Sequence, residues 1–196
     1  KLGAQPYWSW NEASINLTDF RNWLRANEAH ISRGTDRGFG GHRPYTSLSA
    51  DKPSGTGAAV ESYVGWIRKH GNHQGLITNA LNACSGNNKR AFDYLYRSMA
   101  EVRSFGRLAR FDYLTMLAKT GLAPITPPHT YLQGATGPVR GARLMLQGSM
   151  ATELSTHELE RRLIALGASL GVDMQVVEDA LCNWQKHPSR YVLFRG

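Results

Sequence analysis

The chain has 196 residues, of which 41% are hydrophobic, and a formal net charge of +8 at neutral pH. This length suits one ordinary domain with its own core, and we predict a single domain over residues 1–196. No apolar run reaches the roughly 18 residues of a membrane span, and Lys1–Pro6 has no apolar stretch typical of a signal peptide. These features exclude a membrane protein and favour a cytoplasmic one.

In the N-terminal part, apolar residues at helical spacing predict a helix from Leu17 to Ser32, with Asn16 or Thr18 as its N-cap. A polar stretch rich in Gly, Ser, Pro and Arg follows over residues 33–57. A loop of this length in a compact domain is either functional or disordered. Two more helices are predicted after the loop, over residues 58–70 and 76–84.

Two predicted helices around a short break occupy the centre of the sequence. The first begins near Asn88, which favours the N-cap position, and carries apolar residues as far as Val102. The second runs from Arg107 to about Thr120, and Ser104-Phe105-Gly106 separates the two.

The C-terminal third begins with a loop rich in proline and glycine over residues 121–137, followed by a short helix over 138–146. Ser155–Glu158 has the pattern of a capping box, and the helix that it opens ends at Gly171. A last helix begins at Asp173. Because no strand pair or internal repeat is evident, we predict an all-α fold.

The two cysteines, Cys84 and Cys182, lie far apart in apolar helical patterns. This placement favours two buried free thiols over a disulfide. There is no Cys-x-x-Cys pair and the histidines are scattered, so we predict no metal site and no cofactor.

The basic residues are mostly arginine: six of the 23 are lysine and 17 are arginine. A guanidinium group can bind two phosphate or carboxylate oxygens at once, so this composition favours a polyanionic partner over a merely basic surface. The excess of basic over acidic residues is concentrated in one part of the chain. Residues 89–143 contain nine basic and three acidic residues, whereas residues 151–196 contain five basic and six acidic ones.

Arg103, Arg107 and Arg110 lie at the break and on the first turn of the helix that follows it. Free N–H groups and the positive end of the helix dipole make such a turn an anion site, suited to a DNA phosphate or a substrate diphosphate. We expect Arg107→Ala to slow a reaction there without disturbing the fold. The alternative is a solvated helix face, with Glu101 and Asp112 as ion-pair partners.

A second segment, Thr136–Arg143, combines glycines with two arginines. The glycines would let the backbone approach a ligand, although a plain helix start fits equally well. It is not a P-loop, because the terminal Gly-Lys-Ser/Thr is missing. From Tyr113 to Thr152 there is no acidic residue, so this stretch cannot supply the carboxylates of a metal-dependent nuclease.

A family resemblance rests on two segments, Arg103–Phe111 (RSFGRLARF) and Gly137–Gly141 (GPVRG). They resemble the helical, DNA-glycosylase-like proteins with which phages build hypermodified thymines. Within that group the chain looks most like the amino acid:DNA transferases, also called glutamyl/putrescinyl-thymine pyrophosphorylases. The similarity covers roughly residues 60–147, or the whole chain.

The resemblance implies a helix-hairpin-helix protein that flips a modified base out of double-stranded DNA in the cytoplasm of a phage-infected bacterium. The base would be 5-hydroxymethyluracil that a separate hydroxymethyluracil DNA kinase has diphosphorylated. The amine of a free amino acid or polyamine would displace pyrophosphate at the methylene carbon. Base-excision glycosylases carry a catalytic aspartate just beyond the second helix of the hairpin, whereas residues 121–136 contain no acid here.

This chemistry assigns tasks to particular residues. Departure of pyrophosphate needs positive charge, which Arg103, Arg107 and Arg110 can supply. A neutral amine requires a general base, and Asp112 or His129 can serve. As plain alternatives, Asp112 would be a surface ion-pair partner and His129 a loop residue.

Binding of the substrates makes further demands. The carboxylate of an amino acid suits a bidentate arginine, for which Arg140 or Arg143 is available. A flipped uracil needs an aromatic shelf, and the candidates are Tyr63, Trp66 and Tyr113. Tyr113 and Trp66 are otherwise expected in the core.

Contacts with the DNA backbone are predicted at basic residues of the long loop and of the helix near residue 88. These basic residues are Arg33, Arg37, Arg43, Lys89 and Arg90.

Three other functions compete. A non-catalytic helical DNA-binding module would bind plain duplex with a steep salt dependence. A base-excision DNA glycosylase is disfavoured by the missing acid. The helical domain that accompanies phage hydroxymethyluracil kinases would need a kinase domain, which this sequence lacks.

Overall fold

The computed structural model describes residues 8–33, 47–151 and 153–190. Over these residues the chain forms nine α-helices and one 3-10 helix (Met99–Glu101) and no strand, which confirms the predicted all-α fold. The helices are α1 (Trp10–Ile15), α2 (Leu17–Arg33), α3 (Thr56–Arg68), α4 (His73–Ala83), α5 (Asn88–Ser98), α6 (Arg107–Lys119), α7 (Gly137–Gln147), α8 (Thr156–Leu170) and α9 (Met174–Trp184). No helix in the described ranges is long and apolar enough to cross a membrane.

The N-terminal helix α1 is an element that the periodicity did not predict. A complete capping box opens it: the Ser9 N–H donates to Glu12 Oε2 at 2.9 Å, and the Glu12 N–H donates to Ser9 Oγ at 3.3 Å. The helix has only six residues and buries none of them. A helix without a buried face has no apolar period to detect, so its only signal was the Ser-x-x-Glu pattern.

Two caps differ from those expected. Asn87, not Asn88, caps α5, because its side-chain oxygen accepts from the Arg90 N–H at 3.0 Å. At α8, Ser155 Oγ accepts from the Glu158 N–H as predicted, but the Glu158 carboxylate binds Arg161 and Arg162 instead of completing the box. Salt bridges within the helix therefore replace half of the predicted motif.

The described chain divides into two compact units. The first contains the residues up to Leu76 together with Met99–Phe105, and the second contains Ile77–Ser98 together with the residues from Gly106 onward. In the first unit, Phe20 and Leu24 of α2 form a buried cluster with Ala50.

The second unit has a core between α7, α8 and α9 and, next to it, the packed pair α5 and α6. Residues of the three-helix core are Leu132, Val139, Ala142, Leu159, Leu163, Met174, Val177 and Leu181. In the helix pair, the rings of Phe92 and Phe111 meet edge to face with their centroids 6.1 Å apart.

The glycines of the segment Thr136–Arg143 allow α7 to lie close to α9. A Cβ at Gly141 would stand 2.4 Å from the backbone oxygen of Leu181, and one at Gly137 would stand 2.9 Å from Sγ of Cys182. These glycines therefore serve helix packing, in line with the plain helix start that was the alternative to a ligand-binding segment. Both cysteines are free thiols, as predicted, but they are half-buried instead of fully buried.

Candidate active site

A cavity of about 440 Å³ opens in the second unit. Four elements line it: α5, the first turn of α6, the loop 129–133 and the N-terminal part of α8. The lining side chains include two guanidinium groups, two imidazoles and one carboxylate. The lining residues are Tyr96, Arg107, Arg110, His129, Tyr131, Gln133, Thr156, His157 and Glu160.

The loop 129–133 is held by two oppositely charged side chains from different helices. The Arg107 guanidinium donates to the carbonyl oxygens of Thr130 (2.6 Å) and Tyr131 (2.8 Å). The Glu160 carboxylate accepts from the N–H groups of Thr130 (3.0 Å) and Leu132 (2.5 Å) and from Thr130 Oγ1 (2.8 Å). One residue satisfies the carbonyl groups and the other the N–H groups, so the backbone of this half-buried loop is fixed.

Tyr131 adopts a left-handed backbone conformation, with φ of +52°. A bulky residue seldom adopts this conformation unless its surroundings impose it, and such strain is common at functional sites. Its ring lies between those of Tyr96 and His129, with centroid distances of 3.9 and 4.0 Å, and its hydroxyl donates to Asp93 Oδ1 at 3.1 Å. Burial and the nearby Asp93 carboxylate raise the pKa of Tyr131, so its hydroxyl stays neutral.

Arg110 extends this aromatic stack. Its guanidinium carbon lies 4.6 Å from the centre of the Tyr96 ring, a cation–π contact. Its hydrogen bonds to the backbone oxygens of Tyr96 (3.3 Å) and Gly106 (3.4 Å) are long. Among the described residues no carboxylate forms an ion pair with Arg110, and its side chain lines the cavity.

Arg107 has a different environment. Its guanidinium pairs with Glu178 of α9 at 2.6 Å, and the two side chains are only 12% and 4% exposed. Burial raises the pKa of Glu178, while the positive charge of Arg107 opposes that increase. The charge of Arg107 is therefore balanced by a buried partner 71 positions away, whereas the sequence treated Arg103, Arg107 and Arg110 alike as anion-binding residues.

Glu160 remains a carboxylate for a related reason. Burial raises its pKa, but the neighbouring imidazole of His129 and hydrogen bonds from Leu132 and Thr130 more than offset this, and the pKa of Glu160 lies below its ordinary value. A carboxylate of lowered pKa stabilises the folded state above its unfolded-state pKa, and this contribution is lost as the pH falls through the folded-state value.

Glu160→Gln is accordingly expected to lower the free energy of unfolding at pH 7, and the gap from wild type should close as the pH falls below about 4. Denaturant titrations at a series of pH values measure both curves. Glu153→Gln is the control, since Glu153 is exposed on the chain before α8. A gap for Glu160→Gln that stays constant down to acid pH would contradict this account.

Several residues predicted for the site lie elsewhere. Trp66 is 1% exposed in the core, so it offers no ring face to a base, which corrects its assignment as a shelf. Tyr63 and Arg103 belong to the first unit, where the Tyr63 hydroxyl bonds His73 Nε2 at 2.8 Å and Arg103 is exposed. Asp112 and Tyr113 are half-buried on α6 and do not line the cavity.

The other predicted residues that the structure describes do not line the cavity either. Arg140 is exposed and Arg143 is half-buried, both on α7. Lys89 and Arg90 are exposed at the start of α5, as a role in DNA contact requires. The side chain of Arg33 and the residues Arg37 and Arg43 lie outside the described residues.

Sequence reasoning missed Tyr96, Tyr131, Gln133, Thr156, His157 and Glu160. The capping pattern at Ser155 located the start of α8, but no local pattern shows that this turn meets a loop some 25 residues earlier. Of the predicted residues, Arg107, Arg110 and His129 are brought together.

A family model described as alpha-glutamyl/putrescinyl thymine pyrophosphorylase clade 3 matches residues 1–196. No curated protein and no solved structure matches the chain.

Proposed function

The chain belongs to the alpha-glutamyl/putrescinyl thymine pyrophosphorylase family, clade 3, and we propose from this that it transfers an amine to a diphosphorylated base in DNA. The base is 5-hydroxymethyluracil, whose hydroxyl a hydroxymethyluracil DNA kinase has diphosphorylated. The nitrogen of a free amino acid or polyamine forms a bond to the methylene carbon. The bond from that carbon to the diphosphate oxygen breaks, and pyrophosphate leaves.

The observation that carries this proposal is the guanidinium of Arg110, which has no ion-pair partner among the described residues, in a cavity that also includes a helix N-terminus. The first N–H groups of a helix have no partner inside it, and the helix dipole is positive there. At α8, Ser155 satisfies the N–H of Glu158, while Thr156 and His157 line the cavity. Arg110 and this turn together suit a diphosphate, whose negative charge grows as the leaving bond breaks.

The aromatic stack supports binding of an extrahelical base. Tyr131 is 7% exposed and lies inside the stack, whereas the His129 side chain at its end is 35% exposed. A flipped pyrimidine can stack on the ring of His129. Arg107 and Glu160 hold the loop that carries this ring.

Contact with the DNA backbone is assigned to the exposed start of α5. Lys89 and Arg90 lie one after the other on its first turn. We assign α5 and α6 as the helix-hairpin-helix unit, which would bind phosphates of the DNA backbone. Such contacts position the protein on the duplex but do not distinguish one base sequence from another.

The test is incubation with duplex DNA containing diphosphorylated hydroxymethyluracil and one amine at a time, followed by mass spectrometry of the digested nucleosides. We expect an aminomethyl adduct of the thymine, with one pyrophosphate released per adduct. Duplex containing undiphosphorylated hydroxymethyluracil is the control and should give no adduct.

Other outcomes identify the competing functions. Free base or abasic sites would show a DNA glycosylase and overturn the proposal. Salt-sensitive binding of any duplex without adduct or base release would show a DNA-binding module instead.

A further inference from the structure

Two imidazoles line the same cavity, and the fold holds them differently. Nδ1 of His129 accepts a hydrogen bond from the Tyr131 N–H at 3.2 Å. His157 is exposed on the first turn of α8, and no side-chain hydrogen bond holds its ring in the described part of the chain. One ring is fixed at one nitrogen, and the other is free to turn.

The bond to Nδ1 decides which nitrogen of His129 carries the proton. A ring nitrogen that accepts from an N–H must be unprotonated, so a neutral His129 carries its hydrogen on Nε2. Glu160 Oε1 lies 3.6 Å from the same Nδ1, too far for a hydrogen bond to compete with that of Tyr131. The free edge of this ring is therefore a donor, and it has no lone pair with which to remove a proton.

We propose that the two histidines divide the handling of protons: His129 donates a hydrogen bond from Nε2 to the leaving diphosphate, and His157 accepts the proton that the amine loses. The proposal rests on the proposed function. As the carbon–nitrogen bond forms, the electron pair of the carbon–oxygen bond leaves with the diphosphate. The proton from the amine nitrogen passes to the imidazole of His157 and from there to solvent.

The two carboxylates near the start of α8 already bind other groups of the protein. His157 is therefore the side chain of this helix that we assign to accept the proton of the amine. Arg161 and Arg162 bind the Glu158 carboxylate and lower its pKa to about 2. Glu160 accepts three hydrogen bonds from the loop. The other charged or titratable groups that line the cavity around His157 are Tyr96 on α5, Arg107 and Arg110 on α6, and His129 and Tyr131 on the loop.

Glutamine and alanine variants at each position separate a donor from a base. The amide of glutamine can donate an N–H in place of a neutral imidazole but cannot take up a proton. We therefore expect His129→Gln to keep clearly more activity than His129→Ala. At position 157 the two variants should be equally slow, about 10²–10⁴-fold below wild type, the range for loss of a general base.

The pH dependence gives a second readout. Single-turnover rates at saturating DNA are measured with an amine whose own pKa lies below the pH range, so that the nucleophile does not titrate. The wild type and both His129 variants should lose rate towards acid pH, whereas the His157 variants should lose this acid limb. His187→Gln, an exposed histidine outside the cavity, is the control and should match wild type.

The outcomes separate this inference from the proposed function. If wild type makes the adduct and the acid limb disappears in the His129 variants instead, the assignment of the two histidines is reversed and the inference fails. If wild type makes the adduct and all four variants match it, the inference also fails while the proposed function stands. Absence of any adduct with wild type overturns both.

Discussion

Substitution of Arg107 by alanine is expected to lower the free energy of unfolding by about 3–5 kcal/mol, the usual result of leaving a buried charge without its partner. Glu178 is 3% exposed, and Arg107 is its ion-pair partner at 2.6 Å. The carbonyl groups of Thr130 and Tyr131 also lose their donor. This replaces the expectation, drawn from the sequence, that the fold would tolerate Arg107→Ala. Denaturant unfolding at pH 7 measures the effect.

A double variant distinguishes a buried charge from lost packing. Arg107→Met with Glu178→Leu removes both charges and keeps apolar volume, and such replacements of buried pairs are often neutral or stabilising. We expect the double variant to be more stable than either Arg107→Ala or Glu178→Leu alone. If Arg107→Ala cost less than about 1 kcal/mol, the range of exposed ion pairs, the pair would be solvated in solution.

Substitution of Arg110 by alanine is expected to slow the transfer step by about 10²–10³-fold, equivalent to roughly 3–4 kcal/mol of barrier. A charge-assisted contact to the leaving diphosphate strengthens as the bond breaks, so its loss affects the rate more than substrate binding. The stability cost should be about 1 kcal/mol or less, because the cation–π contact with Tyr96 is partly exposed and both backbone hydrogen bonds are long. Arg110→Lys keeps the charge but loses the planar fork, and should recover only part of the rate.

The matched control is Arg97→Ala on α5, which removes the same charge from an exposed side chain paired with Asp93. It should stay within a few-fold of wild type in rate. Single-turnover rates at saturating DNA and affinities for unmodified duplex are measured for all three variants. Weaker DNA binding with an unchanged rate for Arg110→Ala would show a backbone contact and remove Arg110 from the active site.

The helices were largely predictable because their ends carry local chemical signals. Ser155 and Gly171 bound α8 as an N-cap and a left-handed C-cap, and Asp173 caps α9. Such caps act within three or four residues, which is the distance over which a sequence pattern can be interpreted. The same locality explains the error at Glu158, whose carboxylate had two arginines within one turn as competing partners.

The site was less predictable because its contacts join distant parts of the chain. Counting charges along the sequence correctly found no acid between Tyr113 and Thr152, yet the fold brings Glu160 against the loop 129–133 of this stretch. It also brings Glu178 against Arg107. Arg107 and Arg110 look equivalent in the sequence, three residues apart at the start of one helix. Only the position of α9 shows that one charge is balanced and the other is not.

Because Arg107 and Glu160 both bind the backbone of the loop 129–133, the number of residues in this loop is more constrained than the identity of its side chains. Apart from the bond between Thr130 Oγ1 and Glu160, its bonds to Arg107 and Glu160 involve backbone atoms, which every amino acid except proline supplies alike. Exchanging the side chains at positions 129 and 133 leaves these bonds in register, whereas one inserted residue would misalign several of them at once. An engineer who wishes to change the amine or base that this cavity accepts should therefore vary the exposed side chain at position 133 and keep the residue count of the loop unchanged.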